Sequence, residues 1–428
     1  MAPRALRRIL LGCLAAALVG AFAPQHAMAA FGCSLAPQPR ELTFGVGAEH
    51  SGEFLRSTGR LHAVMLFVDF PDAPASEDPN ALYRQLVPDA EQWFSAVSYD
   101  RVSLGVDPVA RWYRMPRPSS SYGFAAGRPT FAQQRDYLAD AVAAADADVD
   151  FSRYDLVYVV PARGAAIPLS PAFVAPSRDW GVPADGAVIR YGITFGADLR
   201  GPNGWGASIL DHETEHALGL PDLYDAAGIG SSYWNGLRFV GGWDVMSWLG
   251  LRPGLLAWER WRLGWLGDAQ VDCLGPGSVV RTLEPTSVAG PGLKALVVRV
   301  SATRAYVLEV RERVGVDSRL CDHGVLLSSV DTSVGTGQGP IRIVSAQPAA
   351  AWAYPSCGPL WNAPFDLGRG EVAYFRDAAA GFSFRILART GDGGYTLAVD
   401  LGGSGSGQRV AAAAAPRVAT ARRVAFAV

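Results

Sequence analysis

Residues 212–222 read His-Glu-Thr-Glu-His-Ala-Leu-Gly-Leu-Pro-Asp. Two imidazoles stand four positions apart with a carboxylate between them, and a further carboxylate follows after a glycine. This fits HExxHxxGxxD, the pattern of zinc-dependent peptide hydrolysis. Four helical residues turn through about 400°, so His212 and His216 project about 40° apart from one face and can reach one ion. Glu213 follows His212 by about 100° and borders that face. Catalytic zinc takes three protein ligands and leaves a position for water. Asp222 is the expected third ligand, with Asp225 or a water as alternatives. Glu213 is the expected general base. Glu215 reads as a neighbour of the ligands or as solvated. The chain has only six histidines, and two of them fall at ligand spacing around an acid. That weighs against two incidental helix histidines.

A helix has to hold these groups. Ala207, Leu210, Thr214, Ala217 and Leu218 recur at helical spacing on the opposite side. This stripe, apolar but for one threonine, can rest on a core while the histidines point outward. Gly219 is the expected αL stop, and Pro221 keeps the chain from re-entering the helix. The chain can then turn and bring Asp222 back to the ion.

The elements upstream alternate. Leu61–Phe70 reads as a buried strand stopped by Pro71, and 81–97 as a helix. Val102–Val106 and Ala110–Tyr113 read as two short strands, 131–145 as a second helix and 154–160 as another buried strand. Residues 161–185 read as a loop shaping the substrate cleft. Val188–Thr194 reads as an edge strand along which a peptide can lie extended, followed by a glycine-rich turn over 201–206. Alternating strands and helices predict an α/β (α+β) catalytic domain over 61–268. Eight strand-like runs follow without a helical pattern: 278–283, 295–300, 305–310, 324–330, 341–344, 371–375, 382–388 and 395–399. They predict an all-β, sandwich-like domain over 269–401. It reads equally as a structural appendage and as a substrate-binding unit. Residues 402–428, rich in Gly, Ser, Ala, Arg and Val, read as a disordered tail.

Residues 1–29 read as a secretion signal. Arg4, Arg7 and Arg8 precede an apolar run over 9–22, and Ala27-Met28-Ala29 offers a cleavage site after Ala29. Residues 30–60 then form an N-terminal strap or short leader. Removing the signal takes three of the 38 basic residues and none of the 40 acidic ones, leaving a net charge of −5. A mildly acidic chain without a basic block does not point to nucleic acid or to a membrane surface, and no second long apolar run offers a stable membrane anchor. Four cysteines remain: Cys33, Cys273, Cys321 and Cys357. In a secreted chain an even count predicts two disulfides. Three pairings exist, and Cys33–Cys273 with Cys321–Cys357 is the expected one.

Several separated blocks carry a family resemblance. Val68-Asp69-Phe70-Pro71-Asp72, Phe94-Ser95-Ala96-Val97-Ser98-Tyr99 and Val149 to Asp155 come before the zinc-binding motif. His216 to Asp225, Gly241-Gly242-Trp243-Asp244-Val245-Met246-Ser247, Trp258 and Leu263-Gly264-Trp265 complete the set. In this order they resemble the immune inhibitor A-like (thuringilysin) family of secreted bacterial zinc metalloproteases, a metzincin-like group. The resemblance covers about 60–268, with a weaker echo to about 400. It implies a metzincin-like catalytic domain in which Met246 lies on a Met-turn beneath the ligands. It also implies structural Ca2+ beside the catalytic Zn2+, with Asp222, Asp225 and Asp244 as candidate oxygen donors. Members commonly carry a longer pro-region than residues 30–60 supply.

The expected function is that of a secreted zinc endopeptidase acting on protein or peptide substrates, with Glu213 taking a proton from a water activated by the ion. Tyr191, Tyr224 and Tyr233 are candidates to assist the developing oxyanion. The alternative is a non-catalytic secreted binding protein that keeps the zinc helix as a scaffold.

Overall fold

A computed structural model of the chain describes Cys33 and residues 35–39, 44–47, 53–126, 129–200, 205–348 and 356–402. The signal segment, parts of the 30–60 strap, residues 201–204 of the glycine-rich turn and the tail from 403 lie outside the described residues. The fold is mixed α/β with several sheets and few helices. No helix among the described residues is long and apolar enough to cross a membrane.

The first sheet has five strands, in the order β2 (Val102–Arg114), β1 (Gly59–Asp69), β3 (Leu156–Pro161), β7 (Tyr191–Thr194) and β4 (Ala172–Val174). Its centre is β1, parallel to both β2 and β3. Strand β1 is apolar from Ala63 to Val68, where both of its faces are covered. Leu61, Ala63, Met65 and Phe67 face one core with α1 (Pro79–Val97) and α3 (Gly206–Ala217). Val64, Leu66 and Val68 face another with α2 (Phe131–Ala145). Helix starts follow local chemistry. The Asp78 carboxylate accepts from Asn80 N–H ahead of Pro79, and Thr130 with Gln133 closes a capping box.

Three strand expectations change. The segments 102–106 and 110–113 form one strand through Pro108. Because β2 is an edge strand, a proline costs it no ladder partner, and the irregularity shows as a register shift between Met65 and Phe67. Val188–Thr194 is not an edge strand. It breaks at Arg190 into β6 (Ala187–Ile189) and β7 (Tyr191–Thr194). Strand β7 lies inside the sheet, parallel to β3. The edge is instead β4 (Ala172–Val174), antiparallel to β7 and drawn from the segment read as loop. Three residues are too few to show a period of two. The same segment supplies β5 (Val182–Ala184), which pairs with β6 in a separate hairpin.

Beyond α3 come two short helices, α4 (Tyr233–Gly236) and α5 (Ala257–Arg262). The remaining strands are β8 (Val271–Cys273), β9 (Gly277–Leu283), β10 (Ala295–Arg299), β11 (Arg304–Arg311), β12 (Gly324–Asp331), β13 (Ile341–Ile343), β14 (Tyr374–Asp377), β15 (Phe382–Arg389) and β16 (Tyr395–Leu401). They form two sheets, β13-β12-β11-β10-β8 and β14-β15-β16-β9. Leu296, Leu308 and Leu327 of the first meet Phe384, Leu397 and Val399 of the second in one core. Val297, Val307, Leu326 and Ile341 point the other way and join the core of α1 and α3. One apolar core therefore runs across the boundary at Gly267. Cys33 pairs with Cys273 and Cys321 with Cys357, as expected, at Cα separations of 5.4 and 5.8 Å.

Candidate metal centre

Helix α3 is buried at every position except His216, which is partly covered. The expectation of one apolar side and one open side therefore needs correcting: neighbouring elements cover the polar side too. Ile209, Leu210, Ala217 and Leu218 lie in the core. Thr214, the one polar residue of the stripe, shares a hydrogen bond with the Tyr158 hydroxyl of β3 at 2.8 Å. The helix ends in a Schellman arrangement, with Leu220 N–H on Glu215 O and Gly219 N–H on His216 O. Gly219 has φ +94°, and a Cβ there would sit 2.6 Å from the Phe54 ring. Arg262 of α5 donates to Gly219 O at 2.9 Å.

Two backbone carbonyls, one just past the helix and one on the turn around Val245, orient the imidazoles. His216 Nδ1 lies 2.8 Å from Leu220 O, and His212 Nδ1 lies 3.0 Å from Val245 O. A carbonyl only accepts, so each Nδ1 carries the proton, and each Nε2 is left with its lone pair. Both Nε2 atoms lie 3.2 Å from the same atom, Asp222 Oδ1. Two imidazole nitrogens and one carboxylate oxygen thus converge on one point, where a proton on an imidazole can be exchanged for an ion. Ligand atoms around a tetrahedral ion with bonds of about 2.0–2.1 Å stand about 3.3 Å apart, so the donor set and its spacing suit zinc. The backbone carbonyls behind each ring are the partners that metal-ligating histidines normally have. Side-chain exposures of 9 % for His212, 12 % for His216 and 21 % for Asp222 show that the cluster opens to solvent on the Asp222 side.

Charge follows the geometry. Burial opposes a charged His216, but Asp222 outweighs it and lifts the ring to about 9. Burial likewise opposes a charged His212, and the Asp222 contact again prevails, raising it. Asp222 is held far below the carboxylate range, because the facing His216 and His212 outweigh its burial. Burial pushes Glu213 up to about 7, against the pull of both histidines. The ligand atoms of His212, Glu213 and His216 also lie within 4.8 Å of one another, so Glu213 stands beside the convergent group.

The other expected residues fall as follows. Met246 is fully buried and its carbonyl accepts from Leu223 N–H at 2.9 Å. The Asp244 carboxylate accepts from Met246 N–H and Leu256 N–H at 2.8 and 2.7 Å, so both oxygens hold the turn that carries Val245. Asp225 pairs with Arg238 at 2.6 Å. Glu215 is fully buried, not solvated, and neither oxygen has a hydrogen-bond partner. Tyr191 spends its hydroxyl on Glu53 O. Tyr224 stacks on His212 with centroids 6.5 Å apart, and Tyr233 on Trp205 at 6.2 Å.

Sequence reasoning missed the surroundings of the site. Asp211 is fully buried and pairs with Arg252 at 2.5 Å. The Phe44 ring, from the N-terminal segment, lies 5.5 Å from that of His216. Thr336 contacts Asp222 from 114 residues away. No spacing rule points to contacts of this kind. No protein-family model matches the chain, and no curated protein gives a significant match.

Proposed function

We propose that this chain is a secreted zinc-dependent endopeptidase, similar in its motif blocks to the immune inhibitor A-like group of metzincin-like proteases. The observation that carries the reading is the convergence of His212 Nε2 and His216 Nε2 on Asp222 Oδ1, with Glu213 alongside. His212, His216 and Asp222 would hold the ion. Bound there, zinc supplies Lewis acidity, lowering the pKa of a water and polarising a peptide carbonyl.

The chain's own groups do the rest. Glu213 accepts a proton from the water as its oxygen bonds to the carbonyl carbon. The same carboxyl delivers that proton to the leaving nitrogen as the C–N bond breaks. Strand β4 packs beside α3 and closes the sheet, so its outer edge is the surface for an extended peptide, held by main-chain hydrogen bonds. Two disulfides support an extracellular setting.

The decisive experiment is Glu213→Gln, assayed on casein and on a peptide mixture with and without a chelator. Retained zinc with peptide hydrolysis reduced by at least about 10²-fold is expected. Unchanged turnover removes Glu213 from the reaction. A parent chain that binds zinc but cuts no peptide favours the scaffold alternative.

A further inference from the structure

We infer that Thr336, on the loop between β12 and β13, is a positioning residue for Asp222, an inference that rests on the metal reading above. Asp222 follows Pro221 outside α3, so no helical hydrogen bond holds it. Two consecutive residues of the distant loop do so instead. Asp222 N–H donates to Thr336 Oγ1 at 2.9 Å, and the Thr336 hydroxyl donates to Asp222 Oδ2 at 3.4 Å. Gly337 N–H donates to Asp222 O at 2.9 Å, and Ala226 N–H donates to Gly337 O at 3.0 Å. The loop is tied in turn to the N-terminal segment, with Thr336 N–H on Phe44 O and a bridge between Gly45 and Gly335.

The hydroxyl accepts from the backbone and donates to the side chain of one residue, a pair of roles open to serine or threonine but not to an aliphatic side chain. A free aspartate turns about two side-chain bonds. Fixing Oδ2 on Thr336 leaves Oδ1 aimed at the two imidazoles. The approach also needs Gly337, which has φ +68° and whose Cβ would fall 2.7 Å from that of Ala226. The β-rich half of the chain therefore supplies the brace for a ligand carried by the α/β half.

The test is metal affinity, independent of turnover. Zn2+ and Co2+ dissociation constants are measured by chelator competition on the full chain for parent, Thr336→Val and Thr336→Ser, together with the Co2+ visible spectrum. Valine keeps the shape and deletes the hydroxyl. It is expected to weaken binding about 10–100-fold and to change the cobalt bands, while serine restores both to near the parent. Thermal unfolding of the metal-free chains separates this from loss of fold, and Thr336→Ala replaces the valine variant if that chain does not fold. Parent-like affinity and spectrum in the hydroxyl-deleted chain overturn the inference alone. A parent chain that binds neither metal overturns the metal reading and this inference with it.

Discussion

At the scale of single residues, the candidate centre is defined by three donor atoms that converge. Asp222 Oδ1 faces the Nε2 atoms of two imidazoles whose Nδ1 atoms are held on backbone carbonyls. Asp222→Ala is expected to lower zinc affinity by more than the 10–100-fold typical of an outer-shell change. Dialysis followed by elemental analysis reads this directly, and full occupancy in the variant reassigns the ligand. His212, Glu213 and His216 were legible because helical geometry alone brings positions i and i+4 together. Of the two readings of Glu215, the solvated one fails, because its surroundings come from other parts of the chain. Burial and the nearby Asp244 push its carboxyl well up, and Asp211 adds to this against the opposing pull of Arg260.

At the scale of elements, the stop of α3 decides where His216 points. The αL glycine places Leu220 O behind the ring, and Arg262 holds Gly219 O from α5. Gly219→Ala introduces left-handed strain of about 1–2 kcal/mol and a collision with Phe54. A fall in Tm of roughly 1–3 °C is expected, together with weaker zinc binding. An unchanged Tm would mean that Phe54 moves aside and the turn tolerates a side chain. This stop was readable, since glycine followed by proline is a local signal. The position of β7 inside the sheet was not. Whether a strand lies at an edge depends on what pairs beyond it, and here that partner is the three-residue β4.

At the scale of the molecule, the two halves share both apolar core and buried charge. On β11, Ala305, Val307, Glu309 and Arg311 face the α/β half while Leu308 and Val310 face the second sheet. Arg311 is fully buried. It pairs with Asp317 at 2.6 Å and Glu309 at 3.3 Å, and donates to Trp243 O and Gly254 O. Removing one member of a buried ion pair strands the other charges, so Arg311→Met is expected to cost about 3–5 kcal/mol. Chemical denaturation of the purified variant measures it, and a loss below about 1 kcal/mol would show that water reaches the pair. Calorimetry of the parent is expected to show one endotherm, whereas two resolved transitions would show that the halves unfold independently.

Short-range rules were enough for the helix that carries His212, Glu213 and His216, for the strand-rich second half and for the pattern of alternating elements before it. In each case the informative residues lie within a few positions of one another, where backbone geometry limits the outcome. The sequence alone also led to the expected cysteine pairing. Tertiary structure alone decided that the polar side of α3 is covered, that one core crosses the boundary at Gly267, and that a threonine 114 residues away steadies Asp222. Such contacts depend on how two sheets and a helix pack, and packing leaves no periodic trace in the chain.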